Sequence, residues 1–298
     1  MKVTFGINKP VAVLLLLTVL CLLTACSREQ PNPGGTDVAE ETNLSFLTIR
    51  GDGVEQETGY SLENLKSMES DLAESCYSTV NNWPVKKFFV GRGILVINLL
   101  QQAGISADAQ TVSFIAKDNY KVTLTMDQLE ESRYYYPALL EDSREGAEIA
   151  PVILAWEYEE DTADLSRAMP NNLRLMLGQT GLNDLVTSAY VKNVVVIEVS
   201  REAPEQWAGV EANPVPGEIA GDGEVELSHP TQDLVRIYYT TDGSEPDINS
   251  KVYNPSATYF RPELNKPVTI SATTTIKAMA VGFGKKNSPV ATFEYRVQ

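Results

Sequence analysis

Val235-Arg236-Ile237-Tyr238-Tyr239-Thr240-Thr241-Asp242-Gly243-Ser244-Glu245-Pro246 alternates and then stops. Successive side chains of an extended strand point to opposite faces. Val235, Ile237 and Tyr239 therefore share one face, with Arg236, Tyr238 and Thr240 on the other. Asp242-Gly243 is a turn pair that ends the run. The same period recurs downstream. Ile276, Ala278 and Ala280 form one stripe. Ala291, Phe293, Tyr295 and Val297 alternate with Thr292, Glu294, Arg296 and Gln298. Gly282-Phe283-Gly284 punctuates the interval between them. Short strands with such turns predict an all-β sandwich over 217–298. Asp242, Glu245 and Asp247 lack the spacing of a calcium loop and read as the polar residues of a hairpin turn.

Working outward, residues 201–216 lose periodicity and gain Pro204, Pro214 and Pro216, which predicts a linker. Residues 44–200 mix strand and helix signals, which predicts an α+β domain. Leu44 to Ile49 reads as a strand. Ser61 is placed to N-cap a helix carrying Leu62, Leu65 and Met68 on one face. Gly93 to Ala103 reads as a helix ending at Gly104. Val112 to Ile115 and Lys121 to Leu124 read as a hairpin around Asp118-Asn119. Thr125 and Gln128 have capping-box spacing. Val152 to Trp156 and Val194 to Val199 read as buried strands. Glu157-Tyr158-Glu159-Glu160-Asp161 reads as an acidic solvated loop. Tyr134-Tyr135-Tyr136-Pro137 fits either a stacking platform or a core cap.

The N-terminus carries Lys2 and Lys9, then an apolar run from Val11, then Leu23-Thr24-Ala25-Cys26. That order resembles the signal and lipobox of bacterial lipoproteins. It implies a signal peptide over 1–25, acylation of Cys26, and a disordered tether over 26–43. The protein would then sit on the extracytoplasmic face of a bacterial membrane, held through its acyl chains. The whole chain has a net charge of −16. Without Lys2 and Lys9, 22 basic face 40 acidic side chains, a net −18. Such a chain is repelled by phosphates, which excludes nucleic acid as the expected partner. With Cys21 in the signal and Cys26 acylated, Cys76 is the one remaining thiol, so no intramolecular disulfide is expected. His229 is the single histidine. Zinc sites built from several His and Cys are excluded, and a Ser/His/Asp apparatus is confined to one position.

Ile237–Pro246, Thr275-Ile276-Lys277-Ala278-Met279-Ala280 and Asn287-Ser288-Pro289-Val290 resemble the C-terminal module of chitobiase and β-hexosaminidase-type proteins. That module is an immunoglobulin- or fibronectin-like sandwich, accessory to a catalytic barrel this chain has no room for. The resemblance therefore implies no glycoside hydrolysis. The 44–200 region resembles the molybdopterin-binding fold of sulfite-oxidase-type oxidoreductases. Gly91–Ile105, Phe114–Tyr120, Leu173-Arg174-Leu175-Met176 and Tyr190-Val191-Lys192-Asn193-Val194 carry the likeness in order.

That family holds molybdenum through a cysteine in a Cys-x-x-Asn setting. Aligning Asn81 with the motif's Asn puts Ser78 in the cysteine slot and leaves Cys76 two residues upstream. A hydroxyl does not replace a soft thiolate. Lys86, Lys87 and Arg92 are the basic residues that would meet a cofactor phosphate, and Asn81-Asn82-Trp83-Pro84 falls at the family's active-site mouth. The candidate pocket is therefore Cys76, Ser78, Asn81, Trp83 and Arg92, with no catalytic residue assigned and no metal or cofactor expected. The reading is a lipoprotein that binds a small molecule, glycan or protein at the cell envelope. One alternative is a molybdopterin-dependent oxidoreductase with Cys76 as molybdenum ligand. The other is a carbohydrate-associated surface protein acting through the sandwich.

Overall fold

Burial along Thr274–Val281 alternates residue by residue, with Ile276, Ala278 and Ala280 inside. Along Ala291–Val297 the inside positions are Phe293 and Tyr295. These strands pair antiparallel in a five-stranded sheet, in the order Gly217–Ile219, Ala291–Val297, Thr274–Val281, Arg236–Thr240 and Lys251–Val252. A three-stranded sheet of Glu211–Asn213, Gly223–Ser228 and Val268–Ile270 closes the other side. Val225, Leu227 and Ile270 meet Ile237, Ile276 and Phe293 in one core. This computed structural model describes residues 46–298. Cys26 and the 26–43 tether lie outside the described residues, as does the start of the strand expected from Leu44.

Residues 201–216 are not only a connection. Trp207 and Val210 are buried in the sandwich core, and Glu211–Asn213 pairs with Gly223–Ser228. Proline and glycine hid this from the periodicity, because a single buried tryptophan makes no stripe.

The preceding residues are mostly strand. One sheet runs Thr58–Tyr60, Leu47–Arg50, Val194–Ser200, Thr111–Ala116, Lys121–Thr125. The other runs Met169–Met176, Ile153–Glu160, Lys86–Leu95, Leu72–Val80. Leu47, Ile197 and Phe114 of the first share a core with Tyr77, Ile94 and Leu154 of the second. Helices are few and short, at 6, 7 and 5 residues. Ser61 caps Leu62–Ser67 and Thr125 caps Met126–Glu130, each in a reciprocal capping box.

Two further expectations change, and one strand face proves to be covered. The helix expected from Gly93 begins only at Val96, and Gly93 to Leu95 end a strand. A side chain on Gly93 would start 2.1 Å from the Leu154 carbonyl oxygen, so the glycine serves close strand approach beside a register shift. The acidic run lies mainly in the strand Ile153–Glu160, where Glu157 pairs with Arg92 and Glu160 with Arg174. Charge alone suggested a loop, but Glu157, Glu160 and Asp161 each have a basic partner. Finally, Arg236 and Tyr238 are 5% and 2% exposed although they face away from the sandwich core. The 44–200 region covers that face, and described residues of both regions fall in one compact unit.

Candidate functional site

The strand Leu72–Val80 places Cys76 and Ser78 on one face, but in different chemistry. Cys76 is half-buried and its Sγ donates to the Ala163 carbonyl at 3.2 Å. Burial, then the carboxylates of Glu148 and Asp164, push this thiol up. Ser78 is fully buried. Its Oγ donates to Gln179 Oε1 at 2.6 Å and accepts from the Tyr136 amide at 2.9 Å. The residue in the expected cysteine slot is thus a hydrogen-bonding hub.

The other three pocket residues diverge. Asn81 Oδ1 accepts from the amides of Trp83 and Val85 and shapes the turn. Trp83 is 52% exposed and meets Phe260 of the sandwich edge-on, with ring centroids 4.9 Å apart. Arg92 binds Glu74 at 2.8 Å and Glu157 at 2.7 Å. Lys86 and Lys87 pair with Asp142 and Asp161. The expected five-residue pocket therefore does not assemble, and the bases proposed for a pterin phosphate are neutralised. Carboxylates disfavour a neighbouring thiolate; Cys76 has Glu148 and Asp164 beside it and the nearby bases are all paired, so the donor set does not fit a molybdenum-pterin group. Among the described residues no cluster of three or more His, Cys, Asp or Glu is arranged to hold a metal.

What does assemble is a cleft of about 520 Å³ whose lining includes Asn81, Lys87, Tyr120, Glu160, Arg174 and Lys192. Arg174 is 3% exposed. Its guanidinium lies 5.0, 5.2 and 5.4 Å from the ring centres of Phe89, Tyr158 and Tyr190. Glu160 Oε1 accepts from Arg174 at 2.7 Å and from Lys192 at 2.8 Å. Against its own burial, these two bonds hold the Glu160 carboxyl below the usual range. Arg174 Nε is buried with no hydrogen-bond partner. Arginine suits this setting because its planar cation stacks on rings and cannot deprotonate. Sequence reasoning quoted Arg174 and Lys192 only as pieces of a resemblance. It missed Glu160, since nothing local marks an acid that two distant bases will share.

Tyr120 also walls a second cleft, of about 590 Å³, with Asn82, Tyr259, Leu234 and Phe283. Here the two regions meet. The Asn82 carbonyl accepts from Ala257 N and Ser256 Oγ, both at 3.1 Å, and Asn82 Nδ2 donates to the Tyr259 hydroxyl at 3.3 Å. Tyr259 and Phe260 rings are 4.4 Å apart, and Phe260 in turn meets Trp83. Trp83, Tyr120, Tyr259 and Phe260 all stay exposed, between 41% and 64%. The Tyr134–Tyr136 run is not part of this surface. Tyr135 and Tyr136 are buried in the core.

His229 has no catalytic setting. Its Nδ1 accepts from Thr231 N and its Nε2 faces the Ala208 carbonyl at 3.1 Å, which assigns the proton to Nε2. Burial pushes this imidazole down.

Residues 225–295 match a family model described as "Fn3 associated". This is a β-sandwich-type domain, and the match takes in most of the two C-terminal sheets but not the strands Glu211–Asn213 and Gly217–Ile219. No curated protein matches the chain. Among solved structures, the sulfane dehydrogenase SoxCD from Paracoccus pantotrophus is similar to it, at 12% identity and a TM-score of 0.33. That likeness covers 82% of this chain and 68% of the other.

Proposed function

We propose that this chain is an extracytoplasmic bacterial lipoprotein, anchored through acylated Cys26, that binds a saccharide and does not catalyse. On this reading residues 44–200 are a molybdopterin-binding-like α+β fold that has lost its metal chemistry, and the sandwich is a second binding wall. The carrying observation is the exposed series Trp83, Phe260, Tyr259 and Tyr120, contributed by both regions and adjoining the cleft of Arg174, Lys192 and Lys87. Exposed aromatic groups of this kind are interaction sites more often than decoration. Aromatic faces cover the C–H faces of sugar rings, and the paired charges of the adjoining cleft, Arg174 and Lys192 on Glu160 and Lys87 on Asp161, offer polar rims for sugar hydroxyls. Cys76, whose Sγ is turned to the Ala163 carbonyl and flanked by Glu148 and Asp164, speaks against the oxidoreductase alternative. A net −18 after signal removal supports a partner other than nucleic acid.

The test is calorimetric titration of the full chain with acidic and neutral oligosaccharides. Neutral chains should bind saturably, and acidic analogues should bind no more tightly, since the net charge of the chain repels them. Trp83→Ala and Tyr259→Ala should each weaken binding about tenfold or more, as aromatic anchors do. Binding indifferent to both substitutions would overturn the reading.

A further inference from the structure

A third cavity, of about 260 Å³, lies where the sandwich sheet meets the 44–200 region, and its lining is charged. Arg133, Arg236, Lys285 and Lys286 face Asp127, Glu131 and Asp184 across it, four bases against three acids. In a chain carrying −16 overall this is a local reversal of sign.

The bases are not equally satisfied. Arg133 bonds Glu131 and Asp184, and also the carbonyls of Gly178 and Gln128. Lys285 pairs with Glu205. Asp184 is in turn held by the Thr180 amide and hydroxyl, both at 3.0 Å. Arg236 forms no ion pair among the described residues. It is 5% exposed, its Nη1 donates to the Asn254 carbonyl at 2.6 Å, and its Nε is buried with no partner. Asp184 is near enough to act on it only through its field. Burial, the larger effect, pushes its pKa down. A buried guanidinium cannot shed its proton, so it calls for an anion or ordered water.

We propose that this cavity binds a small organic carboxylate, with Arg236 gripping the carboxylate and a short apolar tail lying among Leu185, Leu234, Val281 and Phe283. The planar fork of arginine matches a carboxylate two bonds to two. The apolar side chains favour a carboxylate with a tail over a bare inorganic oxyanion. Because the walls come from both regions, an occupied cavity also ties the sandwich to its neighbour. The cavity shares Leu234 and Phe283 with the cleft walled by Tyr120 and Tyr259, but none of Trp83, Tyr120, Tyr259 and Phe260 lines it, so its failure would leave that reading standing.

Butanoate, acetate and inorganic phosphate are the probes, applied to the full chain by calorimetry and by thermal shift. Saturable butanoate binding is expected, with acetate weaker and phosphate weaker still. Arg236→Gln should weaken butanoate at least tenfold. Should that variant fold poorly, Leu234→Trp serves instead. Leu234 is 63% exposed at the cavity's edge, so a larger ring there blocks entry without disturbing the core. No saturable butanoate binding at millimolar concentration would overturn the proposal in favour of a water-filled cavity. Equal butanoate binding by both variants would place the site elsewhere, and preferential phosphate binding would refute the carboxylate assignment.

Discussion

Arg174 is the residue whose removal separates stacking from charge. It is buried among three rings and shares Glu160 with the far more exposed Lys192. Truncating one partner of a buried pair costs about 3–5 kcal/mol, because an uncompensated charge stays behind. Arg174→Ala should therefore cost on the order of 3 kcal/mol in urea unfolding, and Lys192→Gln under about 1 kcal/mol. Arg174→Lys should recover only part, since an ammonium does not stack as a planar fork does. Similar losses for Arg174→Ala and Lys192→Gln would defeat this account. His229 gives the pH dependence at the same scale. Its folded pKa lies below the ordinary value of about 6.5. As pH falls below about 6.5 the unfolded chain takes up a proton that the native imidazole refuses, so stability falls. Melting temperature should drop between about pH 6.5 and 5, and His229→Gln should flatten that slope.

At the scale of elements, much was legible where the signal is local. The capping boxes at Ser61 and Thr125 and the turn at Asp118-Asn119 follow from neighbours three residues apart or closer. What stayed hidden depends on distant partners. Ser78 looked like a lost metal ligand because its acceptor, Gln179, lies 101 residues away. Gly93 looked helical because only the opposing strand reveals why no Cβ fits. Gly93→Ala should cost on the order of 3 kcal/mol or more, far beyond ordinary propensity, and the variant's urea midpoint checks it. Gln128 is legible and hidden at once. Its amide closes the box on Thr125, and it also donates to the Gly282 carbonyl and accepts from the Gly284 amide. Gln128→Ala should cost about 1–2 kcal/mol and raise hydrogen exchange at the Gly284 amide. Unchanged exchange there would mean that the clamp onto the sandwich loop contributes nothing.

For the whole molecule, the strand that reads most plainly as half of a sandwich is buried on both faces. Its second face, Arg236 and Tyr238, had no pattern to announce a cover, since an arginine and a tyrosine suit solvent equally well. The cover is the 44–200 region, whose core also takes in Phe283 from the loop before Ala291–Val297. Arg133 lies 5.8 Å from that ring and the Gln128 clamp sits beside it. Burying one large apolar side chain is worth about 1.5–3 kcal/mol. Exposing Tyr238 and Phe283 together therefore removes several kcal/mol from a sandwich of fewer than 100 residues. At roughly 4–8 °C per kcal/mol for domains of that size, residues 206–298 expressed alone should melt at least about 10 °C below the full chain. The full chain should unfold in one transition, because each region covers apolar surface of the other. Calorimetric scans of the two proteins decide this. Two well-separated transitions in the full chain, or an isolated sandwich with an unchanged melting temperature, would show that the covered face adds no stability.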